Sequence, residues 1–227
     1  MNPLLVAHGT RKADGVAMIA DLAERVGAHL GRRVRTAFVD VLGPTPSDVL
    51  STLPDGPAVL VPAFLAGGYH VRVDIPAHVE ASGHPDVIVT DPLGPSPHIV
   101  RVLSDRLVES GWRPSDSVIL AAAGTSDPHA RRDLLMTAAL LSAAIGARVE
   151  LAYAATSEPR VADAVAATRS RGATRIVVAS YLLADGLFQD RLLDSGADVV
   201  TNPLGTHPGV ARLIASRFRR ARLPVTV

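Results

Sequence analysis

The chain has 227 residues, 48 % of them hydrophobic and 20 % charged, with a formal net charge of +1 and no cysteine. That length suits one large domain or two small ones, each able to bury a core, and the composition excludes a disordered segment. The missing thiols exclude disulfides, iron–sulfur clusters and thiolate metal sites, so a metal here must be held by nitrogen and oxygen, and a reducing cytoplasm is the expected setting.

Short apolar runs open the chain at 4–7 and return at 34–39, 58–62 and 87–90. Between the first two, Val16, Ile19, Ala23, Val26 and Leu30 recur at helical spacing. A second series of runs follows at 118–122, 148–153, 175–180 and 198–201. Its first helix starts at Asp127-Pro128, Asp as N-cap and Pro at the first helical position, and carries the stripe Leu134, Ala138, Leu141 and Ile145. Continuous apolar strands separated by helices predict parallel sheets covered on both faces. Each series ends in a matching segment, Asp91-Pro92-Leu93-Gly94 or Asn202-Pro203-Leu204-Gly205, which leads into a closing helix. The expected class is therefore α/β, with two tandem similar lobes, each a mainly parallel four-stranded sheet flanked by helices. The polar stretch 109–117 sets the expected division: an N-terminal lobe at 1–113 and a C-terminal repeat at 114–227.

The two lobes repeat one another in detail. Leu5-Val6-Ala7-His8-Gly9-Thr10 returns as Leu120-Ala121-Ala122-Ala123-Gly124-Thr125, and Phe38-Val39-Asp40 as Tyr153-Ala154-Ala155. Gly67-Gly68-Tyr69-His70 returns as Ala184-Asp185-Gly186-Leu187. Two imidazoles and a carboxylate in the first copy thus face Ala123, Ala155 and Leu187 in the second. In an open α/β sheet ligands bind beyond the carboxyl ends of the strands. His8 follows the first strand, Asp40 the second and His70 the third, so all three are expected at one sheet edge.

Taken singly, each has a plain structural role available: a hydrogen-bonded histidine after a strand, an Asp before a Gly-Pro turn, a histidine on a glycine loop. Their joint loss from the second copy argues against a structural need. Two imidazoles and a carboxylate make a borderline site suited to Fe²⁺, Co²⁺, Ni²⁺ or Zn²⁺, with coordination positions left open for reaction, and the same groups can accept protons near neutral pH. Beside them, Gly9-Thr10-Arg11-Lys12 sits at a strand-to-helix turn, where Thr10 can cap the helix and the cations can attract an anion. The remaining histidines fall on helix faces or turns and most read as solvated, with a reservation for His78 near the His70 loop.

On these residues the chain resembles the sirohydrochlorin chelatases, which insert cobalt or ferrous iron into an early tetrapyrrole. His8-Gly9-Thr10-Arg11 is similar to that family's His-Gly-Ser/Thr-Arg after strand one, and Phe38-Val39-Asp40 with Pro44 to its Phe-Leu-Glu followed by Pro. The stretch 62–76, Pro-Ala-Phe-Leu-Ala-Gly-Gly-Tyr-His-Val-Arg-Val-Asp-Ile-Pro, is similar to its longest signature. The resemblance implies a lyase of sirohaem or cobalamin biosynthesis in which His8 and His70 bind the incoming metal, with Asp40 in the place of a glutamate. These three serve as both metal and catalytic residues. It implies substrate contacts by Thr10, Arg11, Lys12 and Arg72 to the carboxylates of the macrocycle, and an apolar wall from Phe64 and Leu65. The cleft between lobes is the implied binding place. No tightly bound cofactor is expected, Fe²⁺ or Co²⁺ being a co-substrate.

The partner so implied is sirohydrochlorin. Near-neutral charge and 4 % aromatics argue against nucleic acid, and no apolar run approaches the length of a membrane span. A two-lobed chain is expected to be monomeric, with a dimer as the alternative. Among other readings, a non-catalytic protein for binding or delivering a divalent metal would use the same ligands. A non-haem iron oxygenase is disfavoured by the α/β pattern, a nucleotide enzyme by the glycine spacing, and a serine hydrolase by the missing G-x-S-x-G.

Overall fold

The first four apolar runs form β1 (Asn2–Ala7), β2 (Arg35–Phe38), β3 (Ala58–Pro62) and β4 (Val87–Val89), which pair in parallel in the order β2-β1-β3-β4. The computed structural model describes every residue except Arg11, Asp55, Thr206 and 222–227. The second four runs form β5 (Ser117–Ala122), β6 (Val149–Tyr153), β7 (Ile176–Tyr181) and β8 (Val199–Val200) in the same arrangement, β6-β5-β7-β8. Each lies within a residue or two of the expected run.

Burial explains why these runs carry no polar alternation. Leu4, Leu5, Val6, Leu60 and Val61 in the first sheet, and Ile119, Leu120, Ile176 and Val177 in the second, are completely inaccessible. Helices must therefore cover both faces of each sheet. They are α1 (Ala13–Leu30), α2 (Pro46–Ser51), α3 (Ile75–Ser82), α4 (Pro97–Glu109), α5 (Pro128–Ile145), α6 (Val161–Ser170), α7 (Leu187–Leu193) and α8 (Pro208–Arg220). The start of α5 is as expected: the Asp127 carboxylate accepts the amides of His129 and Ala130. The short α2 starts on a reciprocal cap between Thr45 and Asp48 and buries Pro46, Val49 and Leu50.

The packing divides the chain differently from the repeat. One compact unit is Met1–Leu93 with Pro208–Val227, and the other is Gly94–His207. The sequence repeat divides at 113 and 114 because the copies match in order along the chain. In three dimensions the closing helices are exchanged: α4 packs on α5 and β7 of the second unit, and α8 packs on α1 and β3 of the first. The second unit accordingly begins before the strand that opens its repeat.

Within each unit the strand order creates a crevice. The chain leaves β1 for β2 on one side, then crosses to β3 on the other, so β1 and β3 are neighbours whose connections depart in opposite directions. This is the switch point at which open α/β sheets bind ligands. At the edge of the crevice the first and second strand exits are locked together. The amides of Val39 and Asp40 donate to the carbonyls of Ala7 and His8 at 3.0 and 2.9 Å. Ala154 and Ala155 repeat this on Ala122 and Ala123, both at 2.8 Å.

That approach requires glycine. Gly9 has φ +103°, and a Cβ there would stand 2.1 Å from the Asp40 carbonyl oxygen. Its counterpart Gly124 has φ +115° and would meet the Ala155 carbonyl oxygen at 1.9 Å. The left-handed residue after the turn also recurs, as Val41 and Thr156. The backbone of this crossing is thus a property of both copies, and only the side chains it carries differ. Gly124→Ala is expected to destabilise the protein by about 2–4 kcal/mol, from forbidden φ plus backbone overlap, measured by urea denaturation. A change below about 0.5 kcal/mol, the range of ordinary surface substitutions, would show that the crossing does not constrain the strand exits.

Candidate active site

His8 is the first residue beyond β1, and His70 opens a π-helical turn, His70–Asp74, that runs into α3. Their rings meet edge to face, 4.7 Å between centroids with an interplanar angle of 88°. The switch point explains the meeting, because the two residues leave neighbouring strands on the same sheet edge. The π turn hangs from Gly68, whose carbonyl accepts the amides of Val71 and Arg72 at 3.1 Å each. In the second unit the corresponding segment is the regular helix α7, starting with the exposed Leu187.

Each imidazole has one nitrogen committed. Nδ1 of His8 lies 3.1 Å from the carbonyl oxygen of Gly9. Nδ1 of His70 lies 2.5 Å from Oδ2 of Asp74. A carbonyl can only accept, so His8 carries its proton on Nδ1. The Asp74 carboxylate imposes the same tautomer on His70. In the neutral ring each Nε2 then keeps its lone pair, the form in which imidazole binds a metal.

Asp40 does not join this pair. Its Oδ1 accepts the amide of the next residue, Val41, at 2.7 Å, so the carboxylate folds back on its own turn. Among the described residues no three His, Asp or Glu side chains are gathered closely enough to hold a metal ion. The expected set of His8, Asp40 and His70 is therefore, in this structure, a pair of imidazoles with a carboxylate on the adjoining loop. Sequence position put Asp40 at the right strand exit but could not reveal the local amide that claims it.

The described residues among the expected substrate contacts lie on the segments that follow β1 and β3. Phe64 is half-buried with its ring 6.0 Å from that of His70 and tilted by 30°. It also packs on the core of the first unit. Leu65 is half-buried beside it. Arg72 is exposed on the π turn, and Lys12 is exposed where α1 begins. Thr10 does not cap α1; its hydroxyl accepts the amide of Lys12, which is itself the N-cap residue. Arg11 lies outside the described residues. His78 bonds Ser47 at 3.1 Å and links α2 to α3, a structural role.

Sequence reasoning missed two features. Asp74 touches His70 directly, and the signal was available: a carboxylate four residues after a histidine on a helical turn. The second is an apolar rim. Tyr69 is 58 % exposed, and Val41 and Val73 are each 43 % exposed. All three sit on the loops that carry Asp40 and His70, and the Tyr69 ring lies 6.2 Å from that of His70.

The sequence matches the family model CbiX twice, over residues 2–110 and 117–221. The chain belongs to the CbiX family. Both matches follow the sequence repeat rather than the compact units, as a duplication of one CbiX module requires. Two curated proteins of Priestia megaterium are similar to it. A sirohydrochlorin ferrochelatase is 26 % identical over 95 % of this chain and 88 % of its own length. A sirohydrochlorin cobaltochelatase is 27 % identical over 83 % of this chain and 66 % of its own length. Among solved structures, SirB of Bacillus subtilis with Fe³⁺ superposes with a TM-score of 0.83 at 22 % identity, covering 97 % of this chain and 95 % of that one. At that identity the likeness establishes a shared fold.

The tautomer assignment is open to direct test. Long-range ¹H–¹⁵N spectra of the neutral rings are expected to show His8 and His70 both protonated on Nδ1. A signal from Nε2–H at either ring would contradict the pairing described above.

Proposed function

We propose that this chain is a chelatase that inserts Fe²⁺ or Co²⁺ into sirohydrochlorin, with His8 and His70 as the groups that hold the metal and receive the protons. The observation that carries the reading is the 4.7 Å edge-to-face pair, with no partner for either Nε2 among the described residues, at the strand exits of a CbiX module. The curated relatives named as sirohydrochlorin ferrochelatase and cobaltochelatase supply the substrate class.

The chemistry asks for weak, incomplete coordination. Metal insertion forms four bonds from ring nitrogens to the metal and releases two N–H protons from the macrocycle. Two imidazole nitrogens bind a borderline divalent ion well enough to strip some of its water, yet leave most positions open for the incoming ring. A complete cage would trap the ion. As the metal passes to the macrocycle, each Nε2 lone pair is freed and can accept one of the two protons. Protons and ligands then balance without any further group.

Binding and orientation fall to the surrounding residues. Phe64, Leu65 and the exposed Val41, Tyr69 and Val73 offer apolar surface to a planar ring, removing water from the exchange. Arg72, on the π turn of His70, and Lys12, at the start of the helix that follows His8, are exposed and offer cations to the carboxylates at the ring periphery, the guanidinium in bidentate fashion. Asp40 places a negative charge on the neighbouring loop, where it favours approach of a divalent cation without ligating it. Nitrogen ligands of this kind accept iron and cobalt alike, so the metal used follows supply.

Incubation of the protein with sirohydrochlorin and Co²⁺ is expected to accelerate the change in visible absorbance that accompanies insertion. His8→Ala and His70→Ala are each expected to lower that rate by about 100-fold or more, the scale lost with a positioned proton acceptor, while leaving the melting curve unchanged. Asp40→Ala is expected to cost less than about tenfold, a loss comparable to that of a group beyond the ligand shell. A wild-type rate equal to that of the protein-free control, with Co²⁺ still bound, would favour a metal-delivery role instead.

A further inference from the structure

The two imidazoles are held in unequal ways, and the inequality has a chemical consequence. His70 is clasped by a carboxylate: Nδ1 to Asp74 Oδ2 is 2.5 Å, a charge-assisted contact, with both side chains about one-third exposed or less. Its ring is also flanked by Phe64 at 6.0 Å and Tyr69 at 6.2 Å. His8 is exposed, and among the described residues its Nδ1 meets only the neutral carbonyl of Gly9, at 3.1 Å. A carboxylate behind an imidazole fixes the ring and strengthens the distal nitrogen as a ligand, and its charge-assisted contact is stronger than one to a neutral carbonyl.

The second unit shows that the fold has no use for this carboxylate. Four residues after Leu187, the counterpart of His70, stands Arg191. Its guanidinium lies over the Phe188 ring, 5.9 Å from the centroid, and donates to the Ala154 carbonyl at 3.3 Å. Histidine and aspartate were lost together, and the π turn that carries them became an ordinary helix. A partner that disappears with the ligand, while the sheet and its crossings persist, serves the ligand.

We infer that Asp74 is the positioning residue that makes His70 the anchoring ligand for the metal substrate, and that His8 is the exchangeable ligand released first when the ion moves to the macrocycle. This inference rests on the chelatase reading above. Capture of the ion then depends on the Asp74–His70 pair. Transfer depends on His8, which can let go because no charge holds its ring in place. The order of release follows from the order of ligand strength, since the weaker bond opens the coordination position that a ring nitrogen needs.

The test uses the full-length chain and Co²⁺ alone, followed by visible absorbance, together with insertion rates measured against Co²⁺ concentration. Asp74→Ala is expected to weaken Co²⁺ binding 10- to 100-fold, the usual range for loss of such a partner. It should raise KM for Co²⁺ by a similar factor and change kcat by less than about threefold. Asp74→Asn, which keeps an acceptor of the same shape without the charge, is expected to fall between, and it carries the test if the alanine variant does not fold. His8→Ala should show the opposite split, a large loss of kcat with a smaller effect on Co²⁺ affinity. If both Asp74 variants bind Co²⁺ like the wild type while His70→Ala does not, the positioning role is wrong and the chelatase reading stands. A fall in kcat at unchanged KM also overturns it. If His70→Ala itself binds Co²⁺ normally, the ligand assignment beneath both readings fails.

Discussion

Two neighbouring parallel strands, β1 and β3, end side by side at the point where the chain reverses its direction of travel across the sheet, and the site depends on that arrangement. Parallel strands buried on both faces must be connected by helices, and with the order β2-β1-β3-β4 those helices part at the carboxyl ends of β1 and β3. His8 immediately follows β1, and the loop after β3 brings the π turn of His70 to it at the same sheet edge. The glycine crossing at Gly9 and Asp40 sharpens the placement, because a side chain at Gly9 would overlap the Asp40 carbonyl oxygen. His8 is therefore held where the ring of His70 can reach it.

The duplication separates what the fold needs from what the chemistry needs. The second unit keeps the strand order, the amides of Ala154 and Ala155 on the exits of β5, the glycine crossing and the left-handed turn residue. It keeps neither histidine, nor a carboxylate at the position of Asp40, nor the partner of the second histidine. Ala123 instead packs on the core of its unit, and Leu187 is left exposed where the π turn has become α7. A scaffold that tolerates these losses did not require the polar groups in the first copy. Val41, a β-branched residue in a left-handed conformation, is the exception that clarifies the rule: Thr156 shares its geometry, so the strain there belongs to the turn rather than to the site.

Much of this was legible in the sequence because it depends on local pattern. Uninterrupted apolar runs marked the strands, and two of the three marked polar positions, His8 and His70, meet where strand topology places them. The exchange of α4 and α8 between units was not legible, because a repeat reports the order of like segments and not their packing partners. Asp40 shows a second limit. The sequence sets the loop that carries a carboxylate, whereas the choice between a nearby amide and a shared site turns on dihedral angles. Asp74 is different again: its spacing from His70 was visible, but a carboxylate inside a helical turn is usually a solvated group, and only the contact distance distinguishes it. Among the described residues no helix is long and apolar enough to cross a membrane, in keeping with the short apolar runs.

The central claim is that two imidazoles, each turned by its Nδ1 partner, present their Nε2 atoms to one exchangeable ion. A crystal soaked in Co²⁺, with the ion located by its anomalous scattering, tests this most directly. The account predicts one ion within about 2.0–2.3 Å of both His8 Nε2 and His70 Nε2, with the remaining positions filled by water. An ion bound through Nδ1, or held by either histidine alone at a distance from the other, would contradict it.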